Sequence, residues 1–172
     1  MKLDSDDFEV FGLPRRYALG IADLDARWKA LQSEVHPDRY AADGAAAQRV
    51  AMQWAVRVNE GYRRLRDPVQ RAVVLCELLG AKVDVHDNTA MPAAFLMQQM
   101  AWREALDEAD DAAAVQRIDD ETAEAERALH DELRVLLDER GDAHTAAQRV
   151  RALMFVKRFR EDIDHRLEAL GQ

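Results

Sequence analysis

The 172-residue chain is 48% hydrophobic and 33% charged, with only seven glycines and four prolines; such a composition is globular, favours helix and leaves little material for strands. A single cysteine, Cys76, rules out an intramolecular disulfide and any cysteine-rich zinc site. The net charge of −9 is unevenly divided, because residues 1–75 carry 12 basic and 11 acidic side chains and residues 76–172 carry 12 and 22; nucleic acid is therefore not an expected partner of the second part.

No apolar run is long enough to span a bilayer, so no membrane partner is expected. The acidic start MKLDSDDFEVFG has neither the basic region nor the apolar stretch of a signal peptide. The expected location is the cytoplasm.

In chain order, Phe8, Val10, Phe11 and Leu13 predict one or two helical turns ending at Pro14. After Gly20, the spacing of Leu24, Trp28, Leu31 and Val35 is the core stripe of an amphipathic helix. Pro37 stops that helix at about Val35, since the residue before a proline avoids the helical region. A loop over 36–44 follows. Ala47, Ala51, Trp54, Val58, Tyr62 and Leu65 then mark a second amphipathic helix over about 45–66, broken by Asp67-Pro68. Two such stripes joined by a short loop pack as an antiparallel hairpin.

A short apolar helix over about 69–79 ends at Gly80, a usual left-handed terminator. The stretch KVDVHDNTAM has no helical periodicity and reads as a linker. Pro92 suits the first position of a helix over about 92–108. A longer helix covers about 112–140, with Val115, Ile118, Ala125, Leu129, Leu133 and Leu136 inward and Gly141 as its close. The last helix covers about 143–170. The expected fold is all-α: a helical hairpin over 1–75, a linker with a short helix end over 76–88, and an antiparallel three-helix bundle over 89–172.

His36, Pro37 and Asp38 sit together in the turn between the first two long helices. They can be read as ordinary turn residues, as an acid–base pair of His36 with Asp38, or as a recognition turn. An acid–base pair needs a concave pocket and a third group. A recognition turn needs only a fixed anion: Pro37 restrains the backbone and removes a donor, and the Asp38 carboxylate is presented to a partner's arginine.

The apolar helix, the HPD tripeptide and the run Val58-Asn59-Glu60-Gly61-Tyr62-Arg63-Arg64-Leu65-Arg66-Asp67-Pro68 resemble a J-domain. The resemblance implies docking of His36, Pro37 and Asp38 on an HscA/DnaK-class ATPase chaperone and stimulation of its ATP hydrolysis. It also implies a basic helix before the turn, which here carries Arg27 and Lys29 but also Asp25 and Glu34. Arg39 stands where lysine is more common in that family.

On a helical wheel of 92–108, Phe95, Trp102, Leu106 and Ala109 form one face. Leu96, Met97 and Met100 fall on the opposite side, bordered by Arg103 and Glu104. A helix needs one apolar stripe to pack, so a second must be buried by another element or await a partner. In the last helix Leu153, Val156, Phe159, Ile163, Leu167 and Leu170 make the stripe, with Met154 and Phe155 off it. Those two are either packed on the rest of the chain or available to a partner.

Phe95-Leu96-Met97-Gln98-Gln99-Met100 with Arg103-Glu104-Ala105-Leu106-Asp107-Glu108, the early Phe11-Gly12-Leu13-Pro14 and the late VRALMFVKRF resemble the HscB-type co-chaperones of iron–sulphur cluster assembly over nearly the whole chain. That resemblance implies an IscU-type scaffold protein as client, held by Leu96, Met97, Met100, Arg103, Glu104 and Phe155 or Val156. Ala101, where the family often has an acidic residue, and Gln98 leave the rim less charged. Some members carry an N-terminal cysteine cluster for metal, which is missing from this sequence. Histidines 36, 86, 130, 144 and 165 have no ligand spacing, so no metal and no cofactor are expected. The chain is expected to be an adaptor and not an enzyme. The competing readings are a J-protein for another client, with Leu96, Met97 and Met100 in the core, and a small enzyme using His36 and Asp38.

Overall fold

A computed structural model describes residues 2–84 and 91–171; part of the expected linker, and His86 with it, lies outside the described residues. The chain divides into two compact units, Met1–Leu75 and Cys76–Gln172. Among the described residues every regular element is helical: α1 (Asp7–Phe11), α2 (Ile21–Val35), a 3-10 turn (Pro37–Tyr40), α3 (Ala45–Arg66), α4 (Pro68–Leu78), α5 (Ala93–Glu108), α6 (Ala112–Arg134), a π-helical turn (Val135–Arg140) and α7 (Ala143–Leu170).

In the first unit, α2 packs against α3 and α1 lies against both. Phe8, Phe11, Leu24, Val58 and Leu65 are fully buried between them. α1 has only five residues, too few to hold itself, and its caps are explicit. The Asp6 carboxylate accepts from the Glu9 amide at 3.1 Å, and Gly12 closes the helix at φ 60°. Asp7, buried under α1, takes Arg57 Nη1 at 2.8 Å and Arg64 Nε at 2.7 Å. Burial by itself would raise the Asp7 pKa, but the hydrogen bonds from Arg64 and Arg57 outweigh it and hold the carboxyl below its ordinary value. This geometry explains the glycine inside α3. A Cβ on Gly61 would meet Arg57 at 3.1 Å, the Phe11 ring at 3.2 Å and Asp7 at 3.3 Å. Gly61 therefore lets α1 lie close on α3. On the other side of the hairpin, Trp28 stacks on Tyr62 at 4.4 Å and donates to Asn59 at 3.0 Å. The NEGY motif is thus largely a packing motif.

In the second unit, α6 runs antiparallel to α5 and α7. Arg149 reaches Glu132, and Arg160 reaches Asp119 at 3.2 Å, pairing the ends of α6 and α7 in reverse order. Trp102, Ala109, Val115, Ile118, Val156, Phe159 and Ile163 form a buried core, with Phe95, Leu106 and Phe155 packed on it. α5 pairs with α7 in the same direction: Phe95 with Phe155, Trp102 with Phe159, and the Ala109 carbonyl with Arg166.

Three expected element limits change. The loop over 36–44 contains the 3-10 turn. Pro92 is the N-cap of α5, not its first residue, and its carbonyl accepts from Phe95 and Leu96 at 3.0 and 3.2 Å. The helix expected to run unbroken to Arg140 is α-helical to Arg134 and widens to a π turn over Val135–Arg140. Leu136 and Leu137 are both buried there; an α-helix turns successive residues about 100° apart, and the wider turn seats both.

Candidate functional site

The HPD turn closes α2. His36 is at once the C-cap of α2 and the N-cap of the 3-10 turn, its Nδ1 accepting from the Asp38 amide at 3.3 Å. Pro37, at the first position of the turn, has no amide hydrogen to give to the carbonyls that α2 leaves open. Side chains from the turn meet two of those carbonyls instead. Arg39 donates to the Ser33 oxygen at 3.2 Å, and the Tyr40 hydroxyl donates to the Glu34 oxygen at 3.0 Å. The Asp38 side chain is 92% exposed, and its carboxylate lies 3.6 Å from His36 Nδ1. An anion presented this openly suits a partner's guanidinium. The same openness gives the His36–Asp38 pair no water-excluding pocket of the kind acid–base chemistry uses.

Lys29, Gln32, Ser33, His36 and Arg39 line one open depression on the α2 side of the turn. The structure therefore brings Lys29, His36 and Arg39 together. Arg27, although exposed, does not line that depression. It stands two residues from Lys29, about 200° around the helix, and its guanidinium donates to the Phe11 carbonyl at 3.1 Å. It braces α2 to α1.

In the bundle, the two faces of α5 separate as the wheel indicates. Trp102 is buried, whereas Leu96 is 39% exposed and Met97 and Met100 are each 71% exposed. Arg103 and Glu104 are exposed beside them, as are Gln98 and Ala101. The Arg103 guanidinium stands 5.4 Å above the Phe155 ring. Phe155 is half-buried, edge-on to Phe95 and stacked on Phe159, each at 5.9 Å. It is thus partly core and partly surface, continuous with α5 through Arg103. Val156 is a correction: it is fully buried in the core cluster. One residue is about 100° of α7, and that rotation carries Val156 inward and leaves Phe155 at the rim.

Among the described residues no group of three or more His, Cys, Asp or Glu could hold a metal ion, and none of the helices is long and apolar enough to cross a membrane. Cys76 is buried, and burial, then the Glu77 charge, push its thiol up to about 11; it is a small core residue, not a nucleophile.

Sequence reasoning missed Tyr40. The available signal was a helix end followed at once by proline: α2's last carbonyls then need donors from side chains, and Arg39 and Tyr40 are the nearest ones.

Known proteins share this arrangement. Residues 91–164 match the family model described as the HSCB C-terminal oligomerisation domain. The chain is 50% identical over 159 residues to the co-chaperone protein HscB homolog of Bordetella petrii, covering 92% of this chain and 94% of that one. It is 46% identical over 173 residues to the HscB homolog of Burkholderia multivorans, covering 99% and 98%. Among solved structures, the chaperone HscB from Vibrio cholerae matches with a TM-score of 0.84 at 29% identity, over 96% of this chain and 99% of that chain. The human co-chaperone protein HscB shares the fold, with a TM-score of 0.89 at 23% identity over 100% and 86%. An all-α fold with an HPD turn and a helical C-terminal unit, together with half-identity to a named co-chaperone along nearly its full length, places the chain in the HscB co-chaperone family.

Proposed function

We propose that this co-chaperone is an adaptor for iron–sulphur cluster assembly. Residues 89–172 take up an IscU-type scaffold protein through Leu96, Met97, Met100, Arg103, Glu104 and the exposed edge of Phe155. Residues 1–75 dock on an HscA/DnaK-class chaperone through His36, Pro37 and Asp38, with Lys29 and Arg39 beside them, and stimulate its ATP hydrolysis. The chain itself carries out no covalent chemistry, uses no cofactor, and works in the cytoplasm.

The observation that supports this reading best is the unequal burial of α5. Met97 and Met100 stay 71% exposed on a helix whose other face is held in the core by Trp102. Water-exposed methionine at two positions one turn apart gains nothing for the fold, and flexible thioether side chains suit a surface that adapts to a partner. The test is sedimentation of the full-length chain with the scaffold, without the chaperone. A stoichiometric complex is expected, and it is lost when Met97 and Met100 are both alanine. Absence of a complex with the unaltered chain would overturn the reading.

A further inference from the structure

The turn that presents Asp38 is one 3-10 turn long, and its backbone bonds are few. The Arg39 amide reaches the His36 carbonyl at 3.0 Å, and the Ala41 amide reaches the Asp38 carbonyl at 3.4 Å. At its start the turn is held by His36 Nδ1, which accepts from the Asp38 amide at 3.3 Å. Beyond Asp38 it is tied to α2 by two side-chain donors, Arg39 to Ser33 and Tyr40 to Glu34. The two differ in kind. Arg39 is exposed and carries a long, rotamer-rich stem. Tyr40 is half-buried, has two rotatable bonds, and borders the apolar hollow lined by Val35, Val50 and Trp54. Its ring lines that hollow with residues of α2 and α3, and its hydroxyl, at 3.0 Å from the Glu34 oxygen, bonds the far end of the turn to α2.

We infer that Tyr40 is a positioning residue for the Asp38 carboxylate: its hydroxyl, bonded to the Glu34 carbonyl, holds the 3-10 turn so that Asp38 points in one direction before the chaperone arrives. The inference rests on the chaperone-docking reading above. A preorganised anion loses less freedom on binding than one on a loose turn. Releasing the turn therefore weakens docking, while a docked turn still triggers hydrolysis at the full rate. Tyr40 touches neither nucleotide nor scaffold in this scheme; it acts through Asp38.

Tyr40→Phe in the full-length protein removes the hydroxyl and keeps the ring in its hollow. Titrated against an HscA/DnaK-class chaperone at fixed concentration, the variant is expected to need about three- to tenfold more protein for half-maximal ATPase stimulation, the range set by one net hydrogen bond. The maximal rate stays unchanged, and the melting temperature falls by no more than the few degrees that one hydrogen bond is worth. In amide relaxation the Asp38 order parameter falls while that of Leu24 in the hairpin core holds. Superimposable titrations would overturn the inference, and so would a lower maximal rate at unchanged half-maximal concentration or an Asp38 amide as ordered as in the parent. Failure of the underlying reading looks different: the parent then gives no stimulation, or Asp38→Asn stimulates as the parent does. In that event the relaxation measurement still decides whether the hydroxyl fixes the turn.

Discussion

Truncating Met97 and Met100 together to alanine separates a docking face from a structural one. Each side chain is 71% exposed, so most of its surface is already in water and contributes little to the fold. Full burial of a methionine side chain is worth about 1.5–3 kcal/mol. Scaled by the exposed share, with allowance for the methyl that alanine keeps, each residue has roughly 1–1.5 kcal/mol to gain on being covered. The double variant should then lose about 2–3 kcal/mol of binding, a weakening of about 30- to 150-fold in Kd. Its folding stability should change by no more than about 0.5 kcal/mol, as at other exposed positions. Trp102→Ala, on the opposite face of the same helix, should cost about 3–5 kcal/mol of stability. Titration calorimetry against the IscU-type scaffold reads the first effect and thermal unfolding reads the others. Unchanged affinity in the double variant, or a loss of stability approaching that of Trp102→Ala, would refute the assignment of this face.

Two further perturbations test the first unit. The Asp7 carboxyl is held below its ordinary value in the folded protein because the Arg64 and Arg57 hydrogen bonds outweigh its burial. A depressed folded pKa adds stability that is present above the unfolded value, near 3.8, and is lost as pH falls through the folded one. The melting temperature of the parent should therefore fall on acidification below that value, and Asp7→Asn, less stable at neutral pH, should show a shallower fall; parallel pH curves would refute the pairing. Gly61→Ala gains helix propensity of about 1 kcal/mol. It also drives a Cβ to within 3.1–3.3 Å of Arg57, the Phe11 ring and Asp7, all pinned in place. Overpacking of this kind costs about 1–3 kcal/mol, so net destabilisation in urea unfolding is expected and net stabilisation would contradict the close approach of α1.

The limits of α2, α3 and α7 were legible because punctuation marks them. Gly20 and Pro37 bracket α2, Gly44 and Asp67-Pro68 bracket α3, and Gly141 precedes α7. The two-sided character of α5 was equally legible, since Trp102 and Met97 lie far apart on any helical wheel. The end of α6 was not, because adjacent Leu136 and Leu137 fit an α-helix with one leucine inward as readily as a π turn with both. The inward place of Val156 was legible in its spacing with Leu153, Phe159 and Ile163, and only the family resemblance offered it as a surface residue; the half-buried place of Phe155 depends on Phe95 and Phe159. The bond from Arg27 to the Phe11 carbonyl was not legible, because it depends on how α1 lies against α2. The hold of Tyr40 on Glu34 was signalled only by the proline directly after α2, which leaves the last carbonyls to side-chain donors without saying which residue supplies them.

The most direct test of the central claim is ATP turnover by the HscA/DnaK-class chaperone with the scaffold present, comparing the full-length parent with Asp38→Asn. Asn keeps the shape of the side chain and removes the charge that is 92% exposed at the tip of the turn. The expected result is strong stimulation by the parent and none by the variant, with equal melting temperatures and equal scaffold binding. Stimulation by Asp38→Asn equal to that of the parent would contradict a function built on that exposed anion.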